Sequence, residues 1–470
     1  MRFVRLPDGV LPAPGRRELP EPLPLRRMIG PGVILAGLSI GSGELMIWPK
    51  LTAEWGFALF WACWVGVSIQ YFLNMEIERY SLATGESAVV GFVRLWRPFG
   101  PIFFACATLP WIWPGWATGA ATLLHWELGL PVTATACAGL VACGLVLSLG
   151  PVVYRTVERI QFVLVSAIFA VLVVLAFRVV RGETLLALGA GALRVGHVPD
   201  GIELPVLLGA LAFAGAGGSV NLAQSNYIKD KGYGMGRWVG RITSPFTGRD
   251  EAASDIGFVF DGDPENLARW RVWWWRANAE HLLSFYLLCL VSLALFCLLA
   301  ATLIEPGAVA ADLAFLRSEA LALEDRFGPA GRIAFVVMGI AVLLSTELAL
   351  LDAVSRVAAD LLHLGPLRGG RMTLSQLYAA VLWGLVAFGV LVLLSGFDQP
   401  WLLIVLSASL NGVVMFLYSG LLLWLNVRSF SGPLRPHPVR MAALVFSFGF
   451  FGYFSALTAL DRLGGGQAWR

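Results

Sequence analysis

Apolar residues in this chain fall into long, nearly unbroken runs, not into the alternation of a half-buried strand or the narrow stripe of a surface helix. A helix needs about 20 mostly apolar residues to cross the hydrocarbon core of a bilayer. Eleven stretches reach that length, at roughly 29–54, 57–81, 100–124, 131–150, 157–180, 203–227, 277–303, 330–352, 373–396, 399–426 and 441–461. Between the seventh and eighth, residues 308–328 mix leucine and alanine with Asp312, Glu319, Glu324 and Asp325. That pattern predicts an amphipathic helix on the membrane surface and no twelfth crossing. The expected fold class is an all-α integral membrane protein of about 11 transmembrane helices, here called spans 1–11.

Composition narrows the function classes. Of 470 residues, 57% are hydrophobic and 14% charged, against about 45–50% and about 25% in soluble domains. So few charges cannot cover a water-soluble chain of this size, which excludes a cytosolic enzyme, a disordered protein and a nucleic-acid binder. The expected partner is the lipid bilayer, with a small ion or solute as substrate. Six cysteines sit inside apolar runs without a Cys-x-x-Cys pair, so neither a disulfide nor a zinc framework is expected, and no cofactor. Residues 1–28 carry prolines and arginines but no apolar core, which reads as a cytosolic tail and not as a cleavable signal peptide.

Orientation follows from the basic residues. With the N-terminus inside, 25 of the 34 Lys and Arg lie on the inner side, as the positive-inside rule requires. Eleven crossings then place the C-terminus outside, and the expected location is the plasma (inner) membrane. Tryptophans cluster near span ends, including Trp48, Trp55, Trp111, Trp113, Trp116 and Trp273–Trp275, as in an interfacial aromatic belt. The five histidines also fall near span ends or in loops and read as interfacial. The largest inner loop, 229–276, is basic and then acidic and reads as a solvated hairpin.

Spans 1 and 6 share an anomaly. Span 1 carries Gly37, Gly41 and Gly43 beside Ser42 and Glu44, and span 6 carries Gly209, Gly215, Gly217 and Gly218 beside Ser219. Clustered glycines weaken a helix by about 1 kcal/mol each relative to alanine. Unwound backbone in a membrane is tolerated only where it lines a cavity or is buried in protein. The two spans are five crossings apart and therefore inverted, and paired interruptions in inverted halves point to a transporter's central site. Glu44 strengthens this, because a carboxylate within a span is costly and by default functional. Domain organisation follows: tail 1–28, a first repeat 29–180, a second repeat 203–426 containing the loop 229–276, and 441–470 as an added helix with an extracytoplasmic C-terminus.

Gly30-Pro31-Gly32, Gly43 in the first interruption, and Arg79-Tyr80-Ser81-Leu82-Ala83-Thr84-Gly85 at the end of span 2 resemble the natural-resistance-associated macrophage protein (Nramp) family of divalent-metal transporters. The span 6 stretch with Asn221 and Ser225 falls where that family has its second unwound motif. The resemblance implies a leucine-transporter-like fold of two inverted five-helix repeats, with helices 1 and 6 broken, and transport of Mn²⁺ or Fe²⁺ with protons. The chain departs from the family at both motifs. Where the family has Asp-Pro-Gly-Asn, this chain has Gly41-Ser42-Gly43-Glu44, and where it has Met-Pro-His, this chain has Gly218-Ser219-Val220. A divergent branch is implied.

Without the methionine thioether, which favours softer transition metals, the donors left are oxygens. They suit a hard ion such as Mg²⁺ or Mn²⁺. The expected metal ligands are Glu44, Ser42 and Asn221. The expected substrate-binding set is Gly41, Ser42, Gly43, Glu44, Gly215, Gly217, Ser219, Asn221 and Ser409, with Ser407 and Asn411 as further polar groups of span 10. Glu44 and Glu347 are the expected proton relay, whereas Asp352 with Arg356 four residues on reads as an ion pair. Glu76 and Glu78 beside Arg79 read as structural pairing. No nucleophile–base pair and no nucleotide-binding loop occur in the spans, so the chain is expected to be neither an enzyme nor ATP-driven. An alternative cargo on the same fold is a small organic solute such as an amino acid, moved with Na⁺ or H⁺, because the glycine-rich backbone near Gly215 and Gly217 could bind a carboxylate.

Overall fold

In lipid, backbone N–H and C=O groups must be satisfied within the segment, and the apolar runs accordingly fold as helices. The computed structural model describes residues 3–245, 248, 256–305, 313–365, 367–368 and 370–463. The side chain of Ser42, Asp312, and loop residues 249–255 lie outside the described residues. Eight helical stretches are long and apolar enough to cross a membrane among the described residues. One of them, Pro31–Thr84, contains both span 1 and span 2. The others are span 4 (Val132–Leu149), span 5 (Val153–Val179), span 7 (Pro264–Leu303), span 8 (Pro329–Leu364), span 9 (Leu374–Leu394), span 10 (Pro400–Ser429) and span 11 (from Pro438). Spans 3 and 6 fall short of that length because each is interrupted.

The interruption of span 3 is a departure from the sequence expectation of one helix. Phe99–Thr108 ends in a 3₁₀ turn, Leu109–Trp111, and the helix resumes at Gly115–Leu128. Pro110 and Pro114 explain it, since each removes a backbone donor and clashes with the preceding turn. Span 7 begins at Pro264, well before residue 277, so the last part of the presumed loop is helix. Asp263 caps this helix by accepting from the Asn266 amide at 2.8 Å. The amphipathic helix between spans 7 and 8 is present as Ala314–Phe327. Its Glu319 is buried rather than exposed, and burial pushes that carboxyl up to about 8.

Span 8 is the hub of the bundle, packing against spans 1, 3, 4, 5 and 9, while span 10 packs against span 11 and the first half of span 6. The N-terminal tail lies across one face. Gly15–Arg16 forms a short parallel ladder with Phe258–Val259 of the loop. Arg94 donates to the carbonyls of Pro7 and Pro12 at 3.1 and 3.0 Å, and Trp273 donates to the Pro20 carbonyl at 2.8 Å. Further back, the Arg5 amide donates to the Ser429 carbonyl at 2.8 Å. Trp273 is therefore fully buried and no lipid anchor, whereas Trp275 is 65% exposed.

Candidate functional site

Span 6 unwinds where its glycines predict. Its first half, Leu204–Ala212, stops short of Phe213–Gly217, a 3₁₀ turn follows at Gly218–Ala223, and the second half is Gln224–Lys231. Gly217 and Gly218 adopt φ of +80° and +55°, the left-handed region that glycine enters without a Cβ penalty. Released from helical pairing, the backbone is satisfied by side chains of other spans. Gln70 of span 2 accepts from the Gly217 amide at 3.0 Å and donates to the Ala212 carbonyl at 2.9 Å, bracing both edges of the gap. Asn411 of span 10 accepts from the Ser219 amide at 3.2 Å. Trp111, in the span 3 interruption, donates to the Ser219 hydroxyl at 2.8 Å and stacks on Phe213 at 5.6 Å.

Asn221 also faces this network. Its amide nitrogen donates to Gln70 Oε1 at 3.3 Å and to the Tyr418 hydroxyl at 3.1 Å, and its buried Oδ1 has no partner. Ser407 donates to the Pro110 carbonyl, joining spans 10 and 3 at their irregular level. Ser409 points elsewhere, donating to the Pro205 carbonyl at 2.8 Å near the start of span 6. Gly215 lies against Gln70 and Phe285, where an added Cβ would come 2.5 Å from Gln70 Oε1.

Span 1 is interrupted in a different form. Its helix runs from Pro31–Ser39 through a π-helical segment, Ile40–Ile47, into Trp48–Trp55 without unwinding. The wider turn is what close neighbours impose. A Cβ on Gly43 would sit 1.7 Å from the Phe213 carbonyl oxygen, and one on Gly41 would sit 1.9 Å from Thr346 Oγ1. Gly43 thus marks where the two interruptions meet. The Gly41 carbonyl accepts from Trp116 Nε1 at 3.1 Å.

Glu44 is completely buried. It accepts from the Ser39 hydroxyl at 2.6 Å and from the Ser292 hydroxyl of span 7. Its partners differ from those of Asn221, so the two expected metal ligands are held by separate sets of neighbours. Glu347 of span 8 accepts from the Ala117 amide at 3.2 Å in the second half of span 3. No group of three or more His, Cys, Asp or Glu side chains that could hold a metal occurs among the described residues.

Toward the tail-bearing face, the second half of span 6 is tied down by charge. Arg356 pairs with Asp352 at 2.8 Å and with Asp230, and Asp352 accepts from the Tyr378 hydroxyl at 2.8 Å. Lys229 pairs with Asp360 at 3.2 Å. Glu76 pairs with Arg79 at 2.8 Å as expected, whereas Glu78 instead meets Gln224 of span 6. His281 departs from its interfacial reading. It is fully buried, stacked on Phe285 at 4.7 Å, with neither ring nitrogen partnered.

Sequence reasoning missed Gln70, Tyr418 and the structural use of Trp111. A glutamine and an asparagine inside the apolar run of span 2 were the available signal.

No family model matches the chain, and no curated protein sequence matches it. Its fold is similar to solved structures. A crystal structure of a mutant manganese transporter from Eremococcus coleocola superposes with a TM-score of 0.68 at 14% identity, covering 97% of this chain and 92% of that one. The same transporter in complex with an aromatic bis-isothiourea substituted compound gives 0.67 at 14% identity, over 96% and 92%. MhsT in complex with L-phenylalanine gives 0.50 at 16% identity, over 92% and 98%. The protein is thus an all-α, multi-pass membrane protein with the leucine-transporter-like fold, and these neighbours are transporters rather than enzymes.

Proposed function

We propose that the chain is a divergent Nramp-like secondary transporter that moves a hard divalent cation, Mg²⁺ or Mn²⁺, by alternating access, with protons as the coupling ion. The observation that carries this reading is the meeting of the π-helical turn of span 1 with the unwound segment of span 6 at Gly43 and Phe213, with one buried carboxylate, Glu44, beside the junction. Glu44 would supply the charge, and Asn221 Oδ1, unpartnered and buried, a neutral oxygen. Water retained by the ion would complete its shell, as magnesium prefers. Glu347, on span 8 against the second half of span 3, would accept protons. The split span 6, tied to span 8 through Arg356, supplies a segment that can rearrange while the scaffold stays. The cytoplasmic placement of the tail, the outer placement of the C-terminus and a plasma or inner membrane location belong to the same reading.

A second reading, an organic solute moved with Na⁺ or H⁺, is favoured by the neutral character of the span 6 gap, where Trp111, Phe213 and Trp116 form an aromatic wall. Uptake by proteoliposomes under an imposed pH gradient separates the two. The first reading expects saturable flux of Mg²⁺ or Mn²⁺ that dissipates the proton gradient and is lost in Glu44→Gln. Amino-acid flux unaffected by that substitution would replace it with the second.

A further inference from the structure

Below the central junction, nearer the tail-bearing face, the buried side-chain oxygens with no hydrogen-bond partner among the described residues include Asn74 Oδ1 and Glu78 Oε1 of span 2, Gln224 Oε1 of span 6 and Glu280 Oε2 of span 7. All four residues are at most 1% exposed. Asn74 and Glu78 are one helical turn apart and share a face. Gln224 Nε2 donates to Glu78 Oε2 at 3.4 Å, so Gln224 is adjacent to that face, and span 7 packs beside it next to Glu280, where Tyr71 donates to Asn278 Oδ1 at 3.3 Å and stacks on His281 at 5.8 Å. Asn74 Nδ2 also has no hydrogen-bond partner among the described residues.

The second oxygen of Glu280 is fully used. It accepts from the Gly30 and Gly32 amides at 3.3 Å each and from the Ser284 hydroxyl at 2.8 Å, tying span 7 to the start of span 1. The positive groups that face the pair are engaged elsewhere. Lys231 is bonded to the Ile29 carbonyl at 3.1 Å and to Glu158, and Arg440 to Asn278 and, at 3.5 Å, to Glu76. The phenols of Tyr71, Tyr154 and Tyr233 also lie around the pair, with His281 stacked on Tyr71 and Glu158 accepting from Tyr154. An unpartnered buried polar atom is destabilising, and two carboxylates sharing a buried site oppose each other's ionisation. A hard cation, which takes oxygen ligands, removes both penalties.

We propose that Glu78 and Glu280, with the amide oxygens of Asn74 and Gln224, form a second cation-binding site that takes a hard divalent ion. Its ligands come from spans 2, 6 and 7, and Glu280 reaches span 1 through the Gly30 and Gly32 amides. An ion bound here therefore bridges spans 2, 6 and 7 and, through Glu280, the start of span 1. This site is distinct from Glu44 and stands whether or not the central site is as described above.

The test uses the full chain in detergent or nanodiscs with Mn²⁺ as the paramagnetic probe, bound ions being counted by electron paramagnetic resonance. The expected result is that Glu44→Gln retains one bound Mn²⁺, and that Glu78→Gln or Glu280→Gln on that background weakens it at least tenfold. Glutamine keeps an acceptor for the Gly30 and Gly32 amides while removing the charge. Asn74→Leu retains both carboxylates, and weakens the remaining Mn²⁺ several-fold. Should either glutamine variant fail to fold, Asn74→Leu decides the matter alone. The proposal is overturned if Glu44→Gln abolishes all Mn²⁺ binding, which leaves the central site intact as a reading. It is equally overturned if the three variants bind Mn²⁺ as the parent does, including the case where they alter only the pH profile of uptake. Unimpaired transport in Glu44→Gln with weakened Mn²⁺ binding in Glu280→Gln would instead remove the central reading and keep this one.

Discussion

Spans 1 and 6 carry similar glycine clusters, yet one stays helical and the other unwinds. In span 1 the glycines are placed for contact. Gly41 and Gly43 make room for Thr346 and the Phe213 carbonyl, and a π turn absorbs the distortion while every residue remains in a helix. In span 6 the glycines are placed for conformation, with Gly217 and Gly218 at positive φ, and the chain leaves the helix altogether. The charge follows the opposite rule. The intact helix holds the carboxylate, satisfied by two serines, while the open one offers neutral groups to Gln70, Asn411 and Trp111. Glycine content alone therefore marks where a membrane helix is weak, and the neighbours decide how it yields.

The comparison can be broken most directly at Glu44. If the ordered helix supplies the charge and the open one only neutral donors, Glu44→Gln lowers divalent-cation uptake by about a hundredfold, equivalent to about 2.7 kcal/mol. Asn221→Ala leaves measurable flux with a raised KM. Equal losses in the two variants would erase the asymmetry. Gly43→Ala comes next. Its Cβ would collide with backbone, and we expect a loss of about 3 kcal/mol in stability, read from thermal unfolding in detergent. Gly189→Ala, where nothing lies within 4 Å, is neutral or slightly stabilising. Indistinguishable melting of Gly43→Ala and parent would remove the contact explanation for the π turn.

A smaller effect is expected from Gln70→Leu, which strips the Gly217 amide and Ala212 carbonyl of their side-chain partner at a cost of about 2 kcal/mol. Hydrogen exchange should rise across Phe213–Gly217 and stay unchanged across Ile40–Ile47. A rise at both would mean that the two interruptions are one cooperative unit. The smallest effect lies outside the spans. Because Glu319 has its carboxyl raised to about 8 in the folded protein, the folded state binds the proton more tightly than the unfolded chain. Its contribution is complete below the ordinary glutamate range and is lost as pH rises toward about 8. Melting temperature should fall from pH 5 to pH 8, and Glu319→Gln should flatten that fall by a few degrees. An unchanged slope in the variant would assign the pH dependence to groups within the bundle.

Much of the fold was legible because hydrocarbon thickness sets span length, so apolar runs gave the spanning helices, the mix of leucine, alanine and acids gave the helix at Ala314–Phe327, and clustered glycines gave the break in span 6. The prolines of span 3 were equally visible, but a run dominated by apolar residues conceals a local stop when length is the criterion. The site was legible in part. Glycines and an embedded acid can be read along one dimension, whereas Gln70, Asn411 and Tyr418 matter only because distant helices pack side by side. Burial of Trp273 was likewise hidden, since proximity to a span end says nothing about whether a tail covers that end, and His281 is buried because Tyr71 of span 2 packs on it beside Phe285.

That tail has a consequence for biogenesis. The Phe3 carbonyl accepts from the Ser431 amide, 428 residues away along the chain, and Val4 bridges to Phe430. At ribosomal speeds of about 5–20 residues per second, the segment around Phe3 waits on the order of 20–85 seconds before its anchor, 428 residues on, has even been synthesised. The tail's docking at the turn after span 10 is thus necessarily a late event in assembly, and it closes over a bundle whose first ten helices have already been made.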